Sequence, residues 1–180
     1  MTSKVEKFGF ALGKAVKMTV DAAKDATKDV TKGAAAGKPA AAATDGPPMY
    51  RTNIRNVPKV ESLPREGGWV DMQVQFLIDK KSAGANHVVG WTVLKPGARH
   101  ERHRHHNCDE FFIVIKGRGH IYSDLGEEPS VEGDVVYSPR GCWHGFNNTS
   151  NEDVVLAWGW MGAGSIEDSG YEVDPASHKP

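Results

Sequence analysis

The chain has 180 residues, 39% hydrophobic and 25% charged, with a formal net charge of -1. That composition suits one sizeable core, gives no electrostatic argument for nucleic acid, and contains no run near the ~20 apolar residues of a membrane-spanning helix. The 2 cysteines, Cys108 and Cys142, are too few for a secreted disulfide scaffold, so a reducing, cytoplasmic setting is expected.

Residue types shift sharply along the chain. Residues 1–44 hold no Trp, Tyr, Arg or His, whereas all 5 Trp and all 8 His lie beyond residue 48. Val5, Phe8, Leu12, Val16, Val20, Ala23 and Val30 fall roughly on one helical face, and Asp21–Lys24, Asp25–Lys28 and Asp29–Lys32 are i,i+3 pairs. Residues 1–32 therefore read as an amphipathic arm, helical or disordered. Residues 33–48 read as a flexible Ala/Gly/Pro linker. Lys4, Lys7, Lys14 and Lys17 face only Glu6 in the first 20 residues, which suits docking on a partner groove or an anionic membrane surface. The apolar residues are too dispersed for a secretory signal, and the absence of Arg argues against a mitochondrial presequence.

From residue 69 the pattern becomes β. WVDMQVQFLI (69–78), HVVGWTVLK (87–95), FFIVI (111–115), GHIYS (119–123), DVVYS (134–138) and DVVLAWGW (153–160) are separated by turn signals, among them Lys95-Pro96-Gly97, Lys116-Gly117 and Glu132-Gly133-Asp134. Short strands at this spacing predict an all-β barrel or sandwich over residues 49–165. No helix-length periodic segment lies between residues 60 and 160. Residues 166–180 read as a C-terminal extension packed over the barrel.

Half of the histidines crowd one segment: His100, His103, His105 and His106. On an extended segment His103 and His105 point to one side and Arg104 to the other. A turn returns Glu110 to the ligand side, and His144 stands at the end of another strand. Together they offer three imidazoles and one carboxylate to a single ion.

The spacing resembles the cupin superfamily. Its first motif, G-x5-H-x-H-x4-E-x6-G, is matched by Gly97, His103, His105, Glu110 and Gly117. Its second, G-x5-P-x-G-x2-H-x3-N, is matched by Gly133, Pro139, Gly141, His144 and Asn148, with 15 residues between the motifs. The resemblance implies a cupin-type β-barrel (a double-stranded β-helix, or jelly roll). It also implies that His103, His105, Glu110 and His144 hold one divalent metal ion per chain. Iron(II) is favoured, with Mn, Ni or Zn as alternatives.

Arg104 and His106 have the parity opposite to the ligands and read as surface or interface residues. His100 flanks the motif without belonging to it, and His120 can face the core but is not read as a ligand. Cys142 shares the parity of His144 on a regular strand, which would place it at the border of a substrate pocket; a small packed residue is the first reading of it and a thiolate ligand the remaining alternative. Trp158 and Trp160 share a face with Val154 and Leu156, as core residues first and as pocket wall second.

These residues lead to the expectation of a mononuclear non-haem iron(II) dioxygenase acting on a small phenolic or enolic molecule. A metal-dependent isomerase, decarboxylase or lyase is the first alternative. A non-catalytic ligand-binding or accessory cupin subunit is the second. Apolar residues on both faces of FFIVI and DVVLAWGW lead to an expected homodimer.

Overall fold

A computed structural model of the chain describes residues 46–60 and 63–177. The arm expected over 1–32 and most of the linker expected over 33–48 lie outside the described residues. Among those described, nine strands form: β1 (Trp69–Ile78), β2 (His87–His105), β3 (Asp109–Lys116), β4 (Arg118–Ser123), β5 (Gly126–Val131), β6 (Val135–Ser138), β7 (His144–Asn147), β8 (Val154–Met161) and β9 (Tyr171–Val173). They pair in the order β5-β4-β7-β2-β8-β3-β6, with β1 and β9 also joined to β2. The sheet curls into a half-barrel of the cupin type. Among the described residues no helix is long and apolar enough to cross a membrane.

Period-two alternation decides which side chains face inward. On β2 these are Val88, Thr92 and Leu94; on β3, Glu110, Phe112 and Val114; on β8, Val154, Leu156, Trp158 and Trp160. The apolar ones among them meet Trp69 and Val74 of β1 and Phe146 of β7 in one cluster. The opposite sheet face exposes Ile115, Val135, Tyr137 and Met161, the kind of apolar surface from which a dimer was expected.

Two motif residues shape the corners. Gly117 joins β3 to β4 at φ +88, and a Cβ there would stand 2.9 Å from the Asp153 carbonyl oxygen. Only glycine meets both constraints. Asn148, fully buried, donates to the Leu94 and Glu152 carbonyls at 2.9 and 2.8 Å. Its Oδ1 accepts from the Ser150 amide at 3.0 Å, so one side chain staples the exit of β7.

The structure departs from the alternation pattern at instructive places. Lys95-Pro96-Gly97 is not a turn between strands. β2 continues through it for 19 residues, pairing first with β8 over His87–Leu94 and then with β7 from Arg99 to His103. Opposite, the register with β1 jumps from Met72↔Leu94 to Val70↔Arg99, so residues 95–98 bulge and Gly97 takes φ +79. A bulge bends a strand without ending it. β5 carries Glu127, Glu128 and Pro129 on an exposed hairpin arm, so it has no hydrophobic period. β7 has four residues, too few to show one. β9 arises within the stretch read as a C-terminal extension and pairs with β2 opposite His103–His105.

Candidate metal centre

Three strands bring the four predicted ligands together. His103 and His105 alternate along the end of β2, Glu110 is the second residue of β3, and His144 opens β7 directly opposite His103. All four are buried, and one ligand atom from each lies within 4.8 Å of every other. Glu110 Oε2 is the common point, 2.9 Å from His105 Nε2, 3.1 Å from His144 Nε2 and 3.9 Å from His103 Nε2.

The backbone sets the tautomers. His103 Nδ1 donates to the Glu101 carbonyl at 2.7 Å and His144 Nδ1 to the Cys142 carbonyl at 2.9 Å. Each ring thereby turns its Nε2 toward the centre, with a lone pair for an ion. His103 Nε2 and both ring nitrogens of His105 are buried without a hydrogen-bond partner among the described residues. Burying such groups unpaired is costly, and a cation among them removes the cost. Mixed imidazole and carboxylate donors suit a first-row divalent metal, so the residues present fit one.

The charges agree with this arrangement. Burial disfavours a charged Glu110, but the His144 charge and the imidazoles gathered around the carboxyl outweigh it and hold it well below its ordinary range. Burial likewise opposes a charged His144. Glu110 wins there too, and with the bond to the Cys142 carbonyl it raises that imidazole above 6.5. His103 is pulled down to about 4, by burial first and by the His144 charge second. Without an ion, Glu110 therefore favours a proton on His144, while burial holds His103 down to about 4.

A chamber of about 30 Å³ opens beside the cluster. His100, His103, Glu110 and His144 form its polar end; Trp69, Met72, Phe112, Phe146, Leu156 and Trp158 supply apolar wall. Trp158 and Trp160, read as core residues first and as pocket wall second, are among its lining residues. Trp160 Nε1 donates to Glu110 Oε2 at 3.0 Å, and Trp158 Nε1 to Thr92 Oγ1 at 2.9 Å. Cys142 is not among the lining residues. It precedes β7 on a non-strand turn, so the parity of His144 does not extend to it, and its thiol lies 3.6 Å from the Trp143 carbonyl.

Arg104 and His106 point outward and meet Glu172 of β9 at 2.7 and 2.5 Å. Arg104 also stacks over Trp143, 4.3 Å from its ring centre. His120 is turned away from the centre and bonds Thr149 Oγ1 at 2.9 Å.

Sequence reasoning missed His100 and Tyr171. Between His100↔Phe146 and His103↔His144 the β2–β7 register slips, so His100 reaches the chamber although its parity differs from that of His103. Its ring lies between Trp69 and His103, at centroid distances of 4.1 and 3.8 Å, and its Nε2 is 3.0 Å from the Tyr171 hydroxyl. Burial holds His100 well below the usual imidazole range, so the ring is neutral, and burial pushes the Tyr171 hydroxyl up, so it stays protonated. A bulge and a three-residue strand leave no periodic signal, so neither residue was legible.

A family profile of the Cupin domain matches residues 90–160, which include the whole cluster. The chain is 38% identical over 55 residues to an uncharacterized protein of Aquifex aeolicus (strain VF5), a match covering 31% of this chain and 46% of that protein. It is 32% identical over 79 residues to a gentisate 1,2-dioxygenase of Ralstonia sp, covering 43% of this chain and 22% of that enzyme. The chain thus spans less than half the length of either relative. Among solved structures, a cupin-2 domain protein of Rhodospirillum rubrum superposes with a TM-score of 0.56 at 17% identity, covering 73% of this chain and 85% of that one.

Proposed function

The chain belongs to the cupin superfamily, and from that premise we propose that it is a metal-dependent enzyme, an iron(II) dioxygenase that oxidises a small enolic or phenolic anion. The observation that carries this reading is the buried three-histidine, one-carboxylate cluster opening onto an apolar chamber. The partial likeness to a gentisate 1,2-dioxygenase supports the oxygen-dependent arm of the reading.

His103, His105, Glu110 and His144 would hold the ion. Bound there, iron(II) would supply Lewis acidity toward a substrate oxygen and one-electron chemistry with O₂. The residues do the rest. Three neutral imidazoles and one carboxylate leave a divalent site with a net charge of about +1, which draws an anion into an otherwise apolar chamber. Trp69, Phe112 and Trp158 exclude bulk water and so strengthen that attraction. Trp160 steadies Glu110 through its indole N–H. Size narrows the substrate class. A benzene-sized guest occupies a cavity of about 150 Å³, so a chamber of about 30 Å³ favours the slim oxygen-bearing end of an enol over a whole ring. The two free thiols, Cys108 and Cys142, suit a reducing cytoplasmic setting.

The test is substrate consumption by iron-reconstituted protein across enolic and phenolic panels, with O₂ uptake followed and ¹⁸O traced into product. Label in product supports the reading. Equal turnover under strict anaerobiosis, without label, replaces it with an isomerase, decarboxylase or lyase. Tight ligand binding without turnover replaces it with a ligand-binding or accessory role.

A further inference from the structure

His100 stands at the polar end of the chamber but is not one of the four clustered ligands. Its ring is clamped on both faces, by Trp69 and by His103. One edge is fixed as well. The Tyr171 hydroxyl donates its single proton to the Gly67 carbonyl at 2.6 Å. Its oxygen must then accept at the 3.0 Å contact, so His100 Nε2 carries the hydrogen. In the neutral ring this leaves a lone pair on Nδ1, which makes no hydrogen bond among the described residues. A single tautomer is thus locked by Tyr171, a residue brought to the site by β9.

The remaining chamber offers few acceptors. Thr92 Oγ1 already accepts from Trp158, and Glu110 Oε2 already accepts from Trp160 and faces the imidazoles. A ligand hydroxyl entering among Met72, Phe146 and Leu156 would be desolvated and would need a partner. We propose that His100 Nδ1 is that partner: a recognition residue that selects anions carrying a hydroxyl beside the charged group, the α-hydroxy acid or enol class. This rests on the reading of the chamber as the substrate site. It goes beyond it by naming a residue outside the cluster as the specificity determinant and Tyr171 as the group that fixes its tautomer.

Glycolate and acetate differ only by such a hydroxyl and are among the smallest anions that can make the comparison. The full chain loaded with cobalt(II) reports their binding through its visible spectrum, without any reaction. Wild type is expected to bind glycolate the more tightly. His100→Phe keeps the stacking and removes the acceptor; it should weaken glycolate about tenfold and leave acetate unchanged. His100→Asn returns an acceptor oxygen near the position of Nδ1 and should restore most of the preference. An unchanged glycolate-to-acetate ratio in His100→Phe overturns the proposal while leaving the chamber as a ligand site. If neither anion perturbs the wild-type spectrum, the chamber reading falls and the proposal falls with it. If His100→Phe takes up no cobalt, Tyr171→Phe decides instead: freeing the tautomer should reduce the preference, and an unchanged ratio overturns the role assigned to the pair.

Discussion

Trp160 donates its indole N–H to Glu110 Oε2 at 3.0 Å, and the same oxygen lies 2.9 Å from His105 Nε2. The pairing is built by register, since Glu110 and Trp160 are direct partners across β3 and β8. A hydrogen bond to a metal-binding carboxylate orients it and withdraws part of its charge.

Trp160→Phe removes that donor and keeps most of the buried ring. The dissociation constant for a divalent metal should rise about 10–100-fold, read by competition with a coloured chelator. The far-UV spectrum should not change. An unaltered constant would mean that the contact only fills space.

The cluster itself gives a sharper expectation. His105→Ala and His144→Ala should each abolish stoichiometric metal in elemental analysis of purified protein and leave a β-rich spectrum. His144 lies opposite His103 on β7, so its loss opens the site without removing a strand. Full metal content in both variants would sink the ligand assignment.

Metal uptake must also displace a proton. His144 is raised above 6.5 beside Glu110, so the metal-free site holds that proton below its folded pKa. Loading at pH 6.5 should release up to about one proton per ion, and less as pH rises through that pKa. Calorimetry in two buffers of different ionisation enthalpy measures it.

Acid stability of the metal-free protein has a definite sign. His103 falls to about 4, so the stability contributed by its neutral form is full above 6.5 and is lost as pH falls toward 4. The size is on the order of 3 kcal/mol. His100 shifts in the same direction. His144 works against them, favouring the fold below 6.5 and losing that contribution as pH rises. The His103 shift, from 6.5 to about 4, is the large one and His100 adds to it, so the urea midpoint should be lower at pH 5 than at pH 7. A midpoint that rises toward pH 5 would contradict the sign.

The parts of this site that the sequence showed are those that obey a period or a fixed spacing. His103, His105, Glu110 and His144 sit at strand alternation and motif intervals, and Trp158 and Trp160 keep the inward parity of Val154 and Leu156. What stayed hidden depends on breaks in the period. The bulge at residues 95–98 turned an apparent loop into the middle of β2. The slip before His103 carried His100 to the chamber, and β9 brought Tyr171 from a stretch with no hydrophobic pattern. Alternation does not reach Cys142 for the mirror reason: it precedes β7, where no strand exists.

Gly90 tests the packing that shapes the chamber wall. It pairs with Trp158 across β2 and β8, and a Cβ there would lie 2.1 Å from two Trp158 ring atoms. The indole has little room to yield. Its N–H is tied to Thr92, and Phe76 meets it edge-on with ring centres 5.5 Å apart. Gly90→Ala would stiffen the unfolded chain and gain about 0.4–1 kcal/mol, but overpacking costs about 1–3 kcal/mol, so the net should be destabilising. Trp158→Phe shrinks the ring and removes the Thr92 bond, so alone it too should destabilise. Combined, the smaller ring makes room for the new methyl, and the double variant should lose less stability than the two single losses summed, by about 0.5–3 kcal/mol. Urea unfolding of the four proteins gives the coupling directly. Strict additivity would show that the methyl added by Gly90→Ala and the ring at position 158 do not compete for the same space.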